Sequence, residues 1–409
     1  MTLLFCVFSL YYILFALTCI TQRRMKLKQL ILPILLLAAT TACERDDVLV
    51  ESEASHVTVP TFTDVDGFYL LNEGNMGENK ASLDWFDAAE GTYYRNIYAE
   101  RNPNVVKDLG DVGNDLLIYR DRLYAVINCS HKVEVMRADD AVRIAKIDIP
   151  NCRYAVAANG FVYVSSYVGP VQIDPHAPRG AVFKVDAESL DVVGSVEVGY
   201  QPEQMTIIGN RLYVANSGGY RVPDYDNTVS VIDLDTFEPL DVIVFDNASN
   251  FHCLTNDRQG RLWLSSRGDY YGEHSDLYVV DPIGKKVVKE FDLPVADMWV
   301  DDDKLYALSS EFSFVDGEDS TAFVVIDMNT MEIVDRNFIH DGTDAKMKRP
   351  YTIAVDPISK DIYVGDAKLY VVSGTLYCFG ADGVLKWKNT TGQIPGDIAF
   401  KGNKINDYE

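Results

Sequence analysis

The chain has few basic residues for its length. Its 409 residues include 37 Lys and Arg against 61 Asp and Glu, which gives a formal net charge of −24. So acidic a surface repels nucleic acid and anionic membrane surfaces, and it favours solubility. Nucleic acid is therefore excluded as a partner.

Residues that could carry catalysis or bind a metal are also sparse. The six histidines, His56, His131, His176, His252, His274 and His340, show no metal-ligand spacing. Beyond Cys43 the cysteines are Cys129, Cys152, Cys253 and Cys378, and they match no zinc motif. The chain also lacks a nucleophile elbow, a P-loop and a dinucleotide fingerprint. We therefore expect no enzyme, no catalytic residues, no bound metal and no resident cofactor. We expect buried or free thiols, with a Cys129–Cys152 disulfide as the alternative.

Two apolar segments stand at the N-terminus. Residues 2–21 are uncharged and long enough to span a bilayer. From Met25 onward, a lysine-containing stretch, a short apolar run and small residues before Cys43 form a complete signal peptide. The sequence therefore predicts a signal region over 1–42, with 1–24 an over-extended start. A two-helix membrane hairpin is the alternative.

Residues 37–43 resemble a bacterial lipobox, which predicts that Cys43 is lipidated and becomes the mature N-terminus. The acidic Glu44, Asp46 and Asp47 resemble the tether that directs Bacteroides lipoproteins to the cell surface. The mature chain would carry 33 basic and 61 acidic residues. We expect an outer-membrane, surface-exposed lipoprotein with a flexible tether over residues 43–64.

A repeated strand motif dominates the rest of the chain. An aromatic residue flanked by apolar residues recurs seven times, at intervals of 39 to 57 residues, at Tyr69, Tyr124, Tyr163, Tyr213, Trp263, Tyr306 and Tyr363. A period near 40–50 residues made only of strands is typical of a β-propeller. The sequence therefore predicts an all-β fold, a seven-bladed β-propeller over residues 65–403.

The two ends of the repeat complement each other. The first repeat opens directly on its second strand at Gly67, whereas residues 396–400 form an inner strand without a blade of its own. Pairing the two leaves no open sheet edge at the junction. We predict closure by a C-terminal strand in the N-terminal blade.

Aspartates recur after the third strand of the repeat, at Asp87, Asp186, Asp233, Asp281 and Asp327. Aspartate side chains commonly cap turns through nearby backbone N–H groups. We prefer this interpretation to calcium binding.

One face of the propeller is the candidate binding surface. In each blade, the loop before the inner strand and the loop after the second strand open on the same face. Both sets of loops mix Tyr, Asn, Gln and Arg with Gly, as recognition surfaces do. The candidate ligand-binding residues are Asn72, Asn75, Met76, Asn128, Arg153, Tyr154, Tyr167, Gln201, Gln204, Asn216, Tyr220, Phe251, His252, Arg267, Tyr270, Tyr271, Trp299, Phe312, Arg349 and Tyr351.

The repeat resembles a known propeller family. Residues 212–216 (LYVAN) followed by 229–233 (VSVID) are similar to the YncE/YVTN-type repeat, and the resemblance covers about residues 65–402. The start, residues 67–77 (GFYLLNEGNMG), resembles a narrower group, the cobalamin-capturing surface lipoproteins of gut Bacteroides typified by BtuG. That resemblance implies capture of an intact corrinoid, as cargo for vitamin B12 transport, and its transfer to a TonB-dependent outer-membrane transporter.

Two other classes of function stay open. Some propeller hydrolases hold calcium in the central channel, and Glu73, Asn114, Glu203, Asn216 and Asp297 could imitate that set in a metal-dependent hydrolase, lactonase or lyase. A glycan- or protein-binding scaffold is the other alternative. A channel cluster of carboxylates would favour the first, and a flat face without a central bowl would favour the second.

Overall fold

A computed structural model describes residues 52–105, 108–269, 275–312 and 319–402, with backbone only for 310–312 and 319–320. The described chain forms seven antiparallel sheets, each a blade of one propeller. The predicted all-β, seven-bladed propeller is confirmed. The lipidation, signal and start predictions at residues 1–43 lie outside the described residues.

Blades 2 to 7 each take four consecutive strands of the chain. Blade 2 contains β5 (Gly113–Tyr119), β6 (Arg122–Ile127), β7 (Lys132–Arg137) and β8 (Arg143–Asp148). Blade 3 contains β9 (Cys152–Ala158), β10 (Phe161–Ser166), β11 (Ala181–Asp186) and β12 (Val192–Glu197). Blade 4 contains β13 (Pro202–Ile208), β14 (Arg211–Asn216), β15 (Thr228–Asp233) and β16 (Glu238–Val244).

The same order continues in the remaining blades. Blade 5 contains β17 (Phe251–Asn256), β18 (Leu262–Ser266), β19 (Leu277–Asp281) and β20 (Lys286–Phe291). Blade 6 contains β21 (Val295–Asp301), β22 (Lys304–Phe312), β23 (Asp319–Asp327) and β24 (Glu332–Asp335). Blade 7 contains β25 (Pro350–Val355), β26 (Ile362–Asp366), β27 (Ser373–Phe379) and β28 (Leu385–Gln393).

Blade 1 joins the two ends of the chain. It contains β1 (Glu53–His56), β2 (Gly67–Asn72), β3 (Ser82–Asp87), β4 (Thr92–Arg95) and β29 (Pro395–Lys401). The inner strand β29 pairs antiparallel with β2, with Phe400 opposite Phe68. The predicted closure is confirmed.

The predicted tether needs one correction. Within residues 43–64, Glu53–His56 form β1, the outermost strand of blade 1, paired antiparallel with β4. This edge strand is largely solvent-exposed, so its sequence shows no alternation of apolar and polar residues. Blade 1 therefore has five strands instead of four.

The repeated aromatics of the second strands are buried. Tyr69, Tyr124, Tyr163 and Trp263 have no exposed surface, and Tyr306, the most exposed of the seven, reaches 9%. Each lies among apolar side chains between blades, as in the cluster that joins Tyr69 to Leu116 and Leu123 of blade 2. Burial of such large rings is the main favourable term that holds neighbouring blades together.

The repeated aspartates cap turns, as predicted. Asp186, Asp233 and Asp281 each accept two hydrogen bonds, from the backbone N–H groups of the residues two and three positions later in the chain. These hydrogen bonds lower the pKa of Asp186 and Asp233 below its usual value. Asp87 and Asp327 make the corresponding bond to Glu90 and Thr330.

The cysteines and helices complete the fold. Cys129, Cys152, Cys253 and Cys378 are free thiols, so the alternative of a disulfide is set aside. One short helix, α1 (Ile97–Arg101), packs beside blade 1, and a 3₁₀ turn covers Asp344–Lys346. Within residues 52–402, as far as described, no helix has the length and apolarity to span a membrane.

Candidate functional site

Every inner strand carries a β-bulge at the same point, near the end that faces the loops chosen as the binding surface. On the inner strands the register shifts at residues 395/397, 113/115, 152/155, 202/205, 251/254, 295/297 and 350/352. A bulge re-aims side chains that a regular strand would send to opposite faces. Here it lets two consecutive residues of one strand face the central channel.

Aligning the seven registers gives two layers of side chains. The upper layer is defined by Gly396, Asn114, Arg153, Glu203, His252, Ala296 and Tyr351. The lower layer is defined by the next residue of each strand: Asp397, Asp115, Tyr154, Gln204, Cys253, Asp297 and Thr352.

The lower layer links neighbouring blades around the channel. Asp397 accepts the backbone N–H of Leu116 at 2.6 Å, and Asp115 accepts that of Ala155 at 2.7 Å. Gln204 accepts the N–H of Leu254 at 3.0 Å, and Asp297 that of Ile353 at 2.8 Å. In all four links the donor is the residue just after the lower-layer position of the next blade. Such bonds satisfy N–H groups of the inner strands, each of which has a neighbouring strand on only one side.

Above these layers lies a cavity of about 390 Å³, which we call the bowl. Its volume falls in the range of small-molecule sites. It is lined by upper-layer and lower-layer residues together with Glu73, Asn75 and Met76 from blade 1, Asn128 and Cys129 from blade 2, Val171 from blade 3 and Tyr220 from blade 4. Gly396 leaves room in the wall, and the Glu73 side chain occupies the space that a Cβ there would need.

A buried ion pair supports one side of the bowl. The Arg153 guanidinium lies 3.0 Å (Nη2) and 3.2 Å (Nε) from Glu203 Oε2, and Tyr167 donates its hydroxyl to the other carboxylate oxygen. Arg153 also stacks on aromatic rings, 4.9 Å from the Tyr167 centroid and 5.6 Å from that of Tyr154. The positive charge of Arg153 is therefore neutralised locally.

The carboxyl groups of the wall have raised pKa values. Burial raises the pKa of Glu73 to about 7, against the opposing effects of the Tyr351 hydrogen bond (3.1 Å) and of Arg153 and Arg267. Burial raises the pKa of Asp297 to about 6 and that of Asp397 to about 7. Asp115 hydrogen-bonds Asp397, and burial together with this neighbouring charge raises its pKa well above the usual range. The hydrogen bond between the two carboxyl groups requires that they share a proton.

His252 faces the bowl as a neutral imidazole. Burial, with Arg267 and Arg153 nearby, lowers its pKa well below the usual value. Its Nδ1 lies 3.9 Å from Glu203 Oε2, beyond hydrogen-bond distance, and has no hydrogen-bond partner in the described part of the chain.

Many of the sequence-predicted site residues line the bowl. These are Asn75, Met76, Asn128, Arg153, Tyr154, Gln204, Tyr220, His252 and Tyr351. Tyr167 and Gln201 lie just behind the wall, where Gln201 Oε1 accepts the backbone N–H of Tyr220 at 2.7 Å. Arg267 is close enough to influence the pKa values of Glu73 and His252. Arg349 lies over the Tyr370 ring, 5.5 Å from its centroid.

Four other predicted residues lie elsewhere. Phe251 is fully buried against Phe245, because it precedes the bulge and packs into the core between blades. Trp299 packs between blades with its ring 5.7 Å from that of Phe400. Asn72 is buried beside Ser82, and the Asn216 amide donates to Thr228 and Ser230 within its own blade. Tyr270, Tyr271 and the side chain of Phe312 lie outside the described residues.

The candidate calcium set comes together only in part, because Glu73, Asn114 and Asp297 line the bowl but the other two residues do not. Asn216 points into blade 4, Glu203 is held by Arg153 and Tyr167, and Asp297 accepts bonds from blade 7. Across the described ranges, no group of three His, Cys, Asp or Glu residues has metal-binding geometry.

Other residues of the bowl were missed by sequence reasoning. Asp115, Asp397, Ala296 and Gly396 belong to the two inner-strand layers, and selection by loop composition did not include them. Their common position in the repeat was the signal that could have found them. A residue-by-residue alignment of the seven inner strands would have placed them in the same two layers.

A family model matches residues 66–373. The chain belongs to the family described as Domain of unknown function (DUF5074). No curated protein matches this DUF5074 chain. Among solved structures, it is similar to a quinonprotein alcohol dehydrogenase-like protein from Bacteroides thetaiotaomicron, with 12% identity, a TM-score of 0.56, and coverage of 83% of this chain and 79% of that one.

Two further structures share the fold. A hypothetical selenium-binding protein from Sulfolobus tokodaii has 12% identity and a TM-score of 0.56, and the match covers 84% of this chain and 95% of that one. Hydrazine synthase from Kuenenia stuttgartiensis has 15% identity and a TM-score of 0.53, with coverage of 66% and 77%. At such identities the likeness shows a common propeller architecture alone.

Proposed function

We propose that this propeller is a binding protein that captures a small polar ligand in the bowl without transforming it. The observation that carries the proposal is the composition of the wall. Amide and phenol groups of Asn75, Asn114, Gln204, Tyr154 and Tyr351 converge on one cavity. Convergent polar groups in a preformed, partly aromatic cavity are the usual mark of a small-molecule site.

The charges of the wall determine which ligand charge the bowl favours. Arg153 is paired with Glu203, whereas Glu73, Asp297 and the Asp115–Asp397 pair hold acidic groups toward the bowl. Such a wall disfavours an anionic ligand and suits a neutral or cationic one that donates hydrogen bonds.

A corrinoid is our specific candidate. Its rim of amides could exchange hydrogen bonds with the asparagine, glutamine and tyrosine side chains, and the bowl would take one edge of its broad disc. In this proposal the protein is a surface lipoprotein of the outer membrane that passes its cargo to a TonB-dependent transporter. The support for cargo, partner and location is the sequence resemblance of residues 67–77 and the signal-like N-terminus.

A calorimetric titration with cyanocobalamin tests the proposal. Wild-type protein should bind, and Tyr220→Ala and Met76→Ala should each weaken binding at least threefold. Both side chains line the bowl and are partly exposed, at 36% for Tyr220 and 65% for Met76, so their loss should not disturb the core.

The matched control is Phe62→Ala. Phe62 is an aromatic residue, 83% exposed, beside the turn between β3 and β4, at the opposite end of the blade from the bowl. Its variant should bind as the wild type does. Binding that is unchanged in both bowl variants would place the ligand elsewhere, and no binding by the wild type would remove the corrinoid.

A further inference from the structure

Negative charge dominates the ionisable groups around the bowl. Glu73, Asp115, Asp297 and Asp397 line it directly, and Glu203 lies behind Arg153. The positively charged groups are Arg153 and Arg267. Glu203 neutralises Arg153, and Arg267 lowers the pKa values of Glu73 and His252. Although the Asp115–Asp397 pair shares a proton, the ionised wall holds more negative than positive charge.

Ionising these buried carboxyl groups is energetically unfavourable, and a bound cation could offset that free energy. Carboxyl groups crowded into a partly dry wall either stay protonated or ionise unfavourably, which is why their pKa values rise. A cation placed between them would favour their ionised forms. Binding of a cation would therefore stabilise the ionised carboxyl groups of the wall.

The described carboxyl groups line one cavity without forming a metal site. In the described chain, no three acidic, histidine or cysteine side chains converge with metal-binding geometry. Asp297 and Asp397 each also use a carboxylate oxygen to accept a backbone N–H group of the neighbouring blade. The carboxyl groups thus surround the cavity instead of closing on one point.

An imidazole nitrogen of the wall is without a partner. His252 is 8% exposed, lines the bowl, and its Nδ1 makes no hydrogen bond to the described residues. A buried polar atom left unpaired costs free energy that a ligand can recover. Since the imidazole is neutral, Nδ1 can accept a hydrogen bond from a ligand N–H or O–H group.

The aromatic residues of the wall already hold a cation. The Arg153 guanidinium lies on the rings of Tyr154 and Tyr167. Tyr220 and Tyr351 line the same cavity. Electron-rich ring faces attract ammonium groups, most strongly where water is excluded.

We propose that the bowl binds an organic cation, a ligand whose ammonium group lies among Glu73, Asp297, His252 and the tyrosine rings. This deepens the proposed function and rests on it, because it names the chemical class of ligand for the same cavity. A corrinoid would then bind best in a positively charged form.

The test uses two probes that differ only in charge. Choline and 3,3-dimethylbutan-1-ol have the same shape, but choline has a quaternary nitrogen where the alcohol has a carbon. In calorimetric titrations at pH 8, choline should bind at least tenfold more tightly than the alcohol. Asp297→Asn should reduce choline affinity at least fivefold and leave the alcohol unaffected, because asparagine keeps an oxygen for the Ile353 N–H but loses the charge.

One control and one further test variant complete the experiment. Asp302→Asn removes an exposed carboxylate at the turn between β21 and β22, away from the bowl, and should change neither affinity. Glu73→Gln is a second charge-removing variant, which should also weaken choline binding.

The outcomes separate this inference from the proposed function. Equal affinity for the two probes, no binding of choline, or choline binding that is unchanged in both carboxamide variants would overturn the cation proposal. If cyanocobalamin nonetheless binds the same protein and is weakened by Tyr220→Ala, the bowl remains the binding site and only the ligand class is wrong.

Discussion

Asp397 Oδ2 on the innermost strand of blade 1 accepts the backbone N–H of Leu116 in blade 2 at 2.6 Å. The bond joins the strand contributed by the C-terminus to the second blade of the ring. It is one of four equivalent links around the channel, so the residues that line the bowl also hold the inner strands in register. Stability of the ring and shape of the bowl are therefore coupled.

We predict that Asp397→Ala destabilises the propeller. The substitution leaves the Leu116 N–H without its acceptor in a partly buried wall, which costs about 1–3 kcal/mol. Asp397→Asn should cost less, because the amide oxygen can still accept the bond. Thermal unfolding followed by circular dichroism measures both, with Asp121→Ala as a control whose side chain is 88% exposed. A melting temperature of Asp397→Ala equal to that of wild type would contradict the role of these links.

The Arg153–Glu203 pair gives a second prediction. Glu203→Ala should destabilise the protein by about 3–5 kcal/mol, because it leaves a buried guanidinium without its counter-charge. The double variant Arg153→Met/Glu203→Ala should recover part of that loss, since it removes the uncompensated charge. Urea denaturation compares the three proteins. A double variant that is less stable than Glu203→Ala would contradict the prediction, because it would show that the buried Arg153 guanidinium does not need the Glu203 carboxylate as its counter-charge.

The pKa of Glu73, raised to about 7, predicts how stability depends on pH. An unfolded glutamic acid titrates near pH 4.3, so the folded state binds the proton more tightly than the unfolded state does. Glu73 therefore loses its favourable contribution as pH rises from about 4 through 7. In Glu73→Gln this loss is absent, so the melting temperature of the variant relative to wild type should increase from pH 5 to pH 8.

Differential scanning fluorimetry across that pH range is the measurement. Glu78→Gln, an exposed glutamate of the same loop, serves as the control. A difference between Glu73→Gln and wild type that stays constant with pH would show that Glu73 does not titrate in this range.

Closure of the ring gives a fourth prediction. Removing residues 394–409 deletes β29, exposes the edge of β2, and takes Phe400 from the core of blade 1. The melting temperature should fall by about 4 °C or more, because about 3 kcal/mol or more of buried contacts are lost with the strand. Removing residues 403–409 alone should leave it unchanged, because β29 ends at Lys401. Equal melting temperatures for the two truncations would contradict the closure.

The fold was predictable because its signals repeat. Tyr69, Tyr213 and the other second-strand aromatics mark the blades. The first repeat lacks an inner strand and the last strand lacks a blade, and together these two features indicate the closure. Strand β1 was missed because an exposed edge strand needs no apolar face, so Glu53–His56 carry no pattern.

The bowl was only partly predictable, for a different reason. Loop position identifies the correct face, and residues such as Tyr154 and His252 do line the cavity. Which pair of adjacent residues on an inner strand faces the channel depends on where the bulge lies, and no residue type marks that bulge in the sequence. For this reason Phe251 was assigned to the surface although it packs in the core, whereas Asp115 and Asp397 were passed over.

The most direct test of the central claim is a cyanocobalamin titration of wild-type protein beside Ala296→Trp. Ala296 belongs to the upper layer and lines the bowl with its methyl group, so a tryptophan there would fill the cavity from its wall. We expect measurable binding by the wild type and at least a tenfold loss in Ala296→Trp, with the two proteins giving the same circular dichroism spectrum. Binding of equal strength in both proteins would contradict the claim that the bowl is the ligand site.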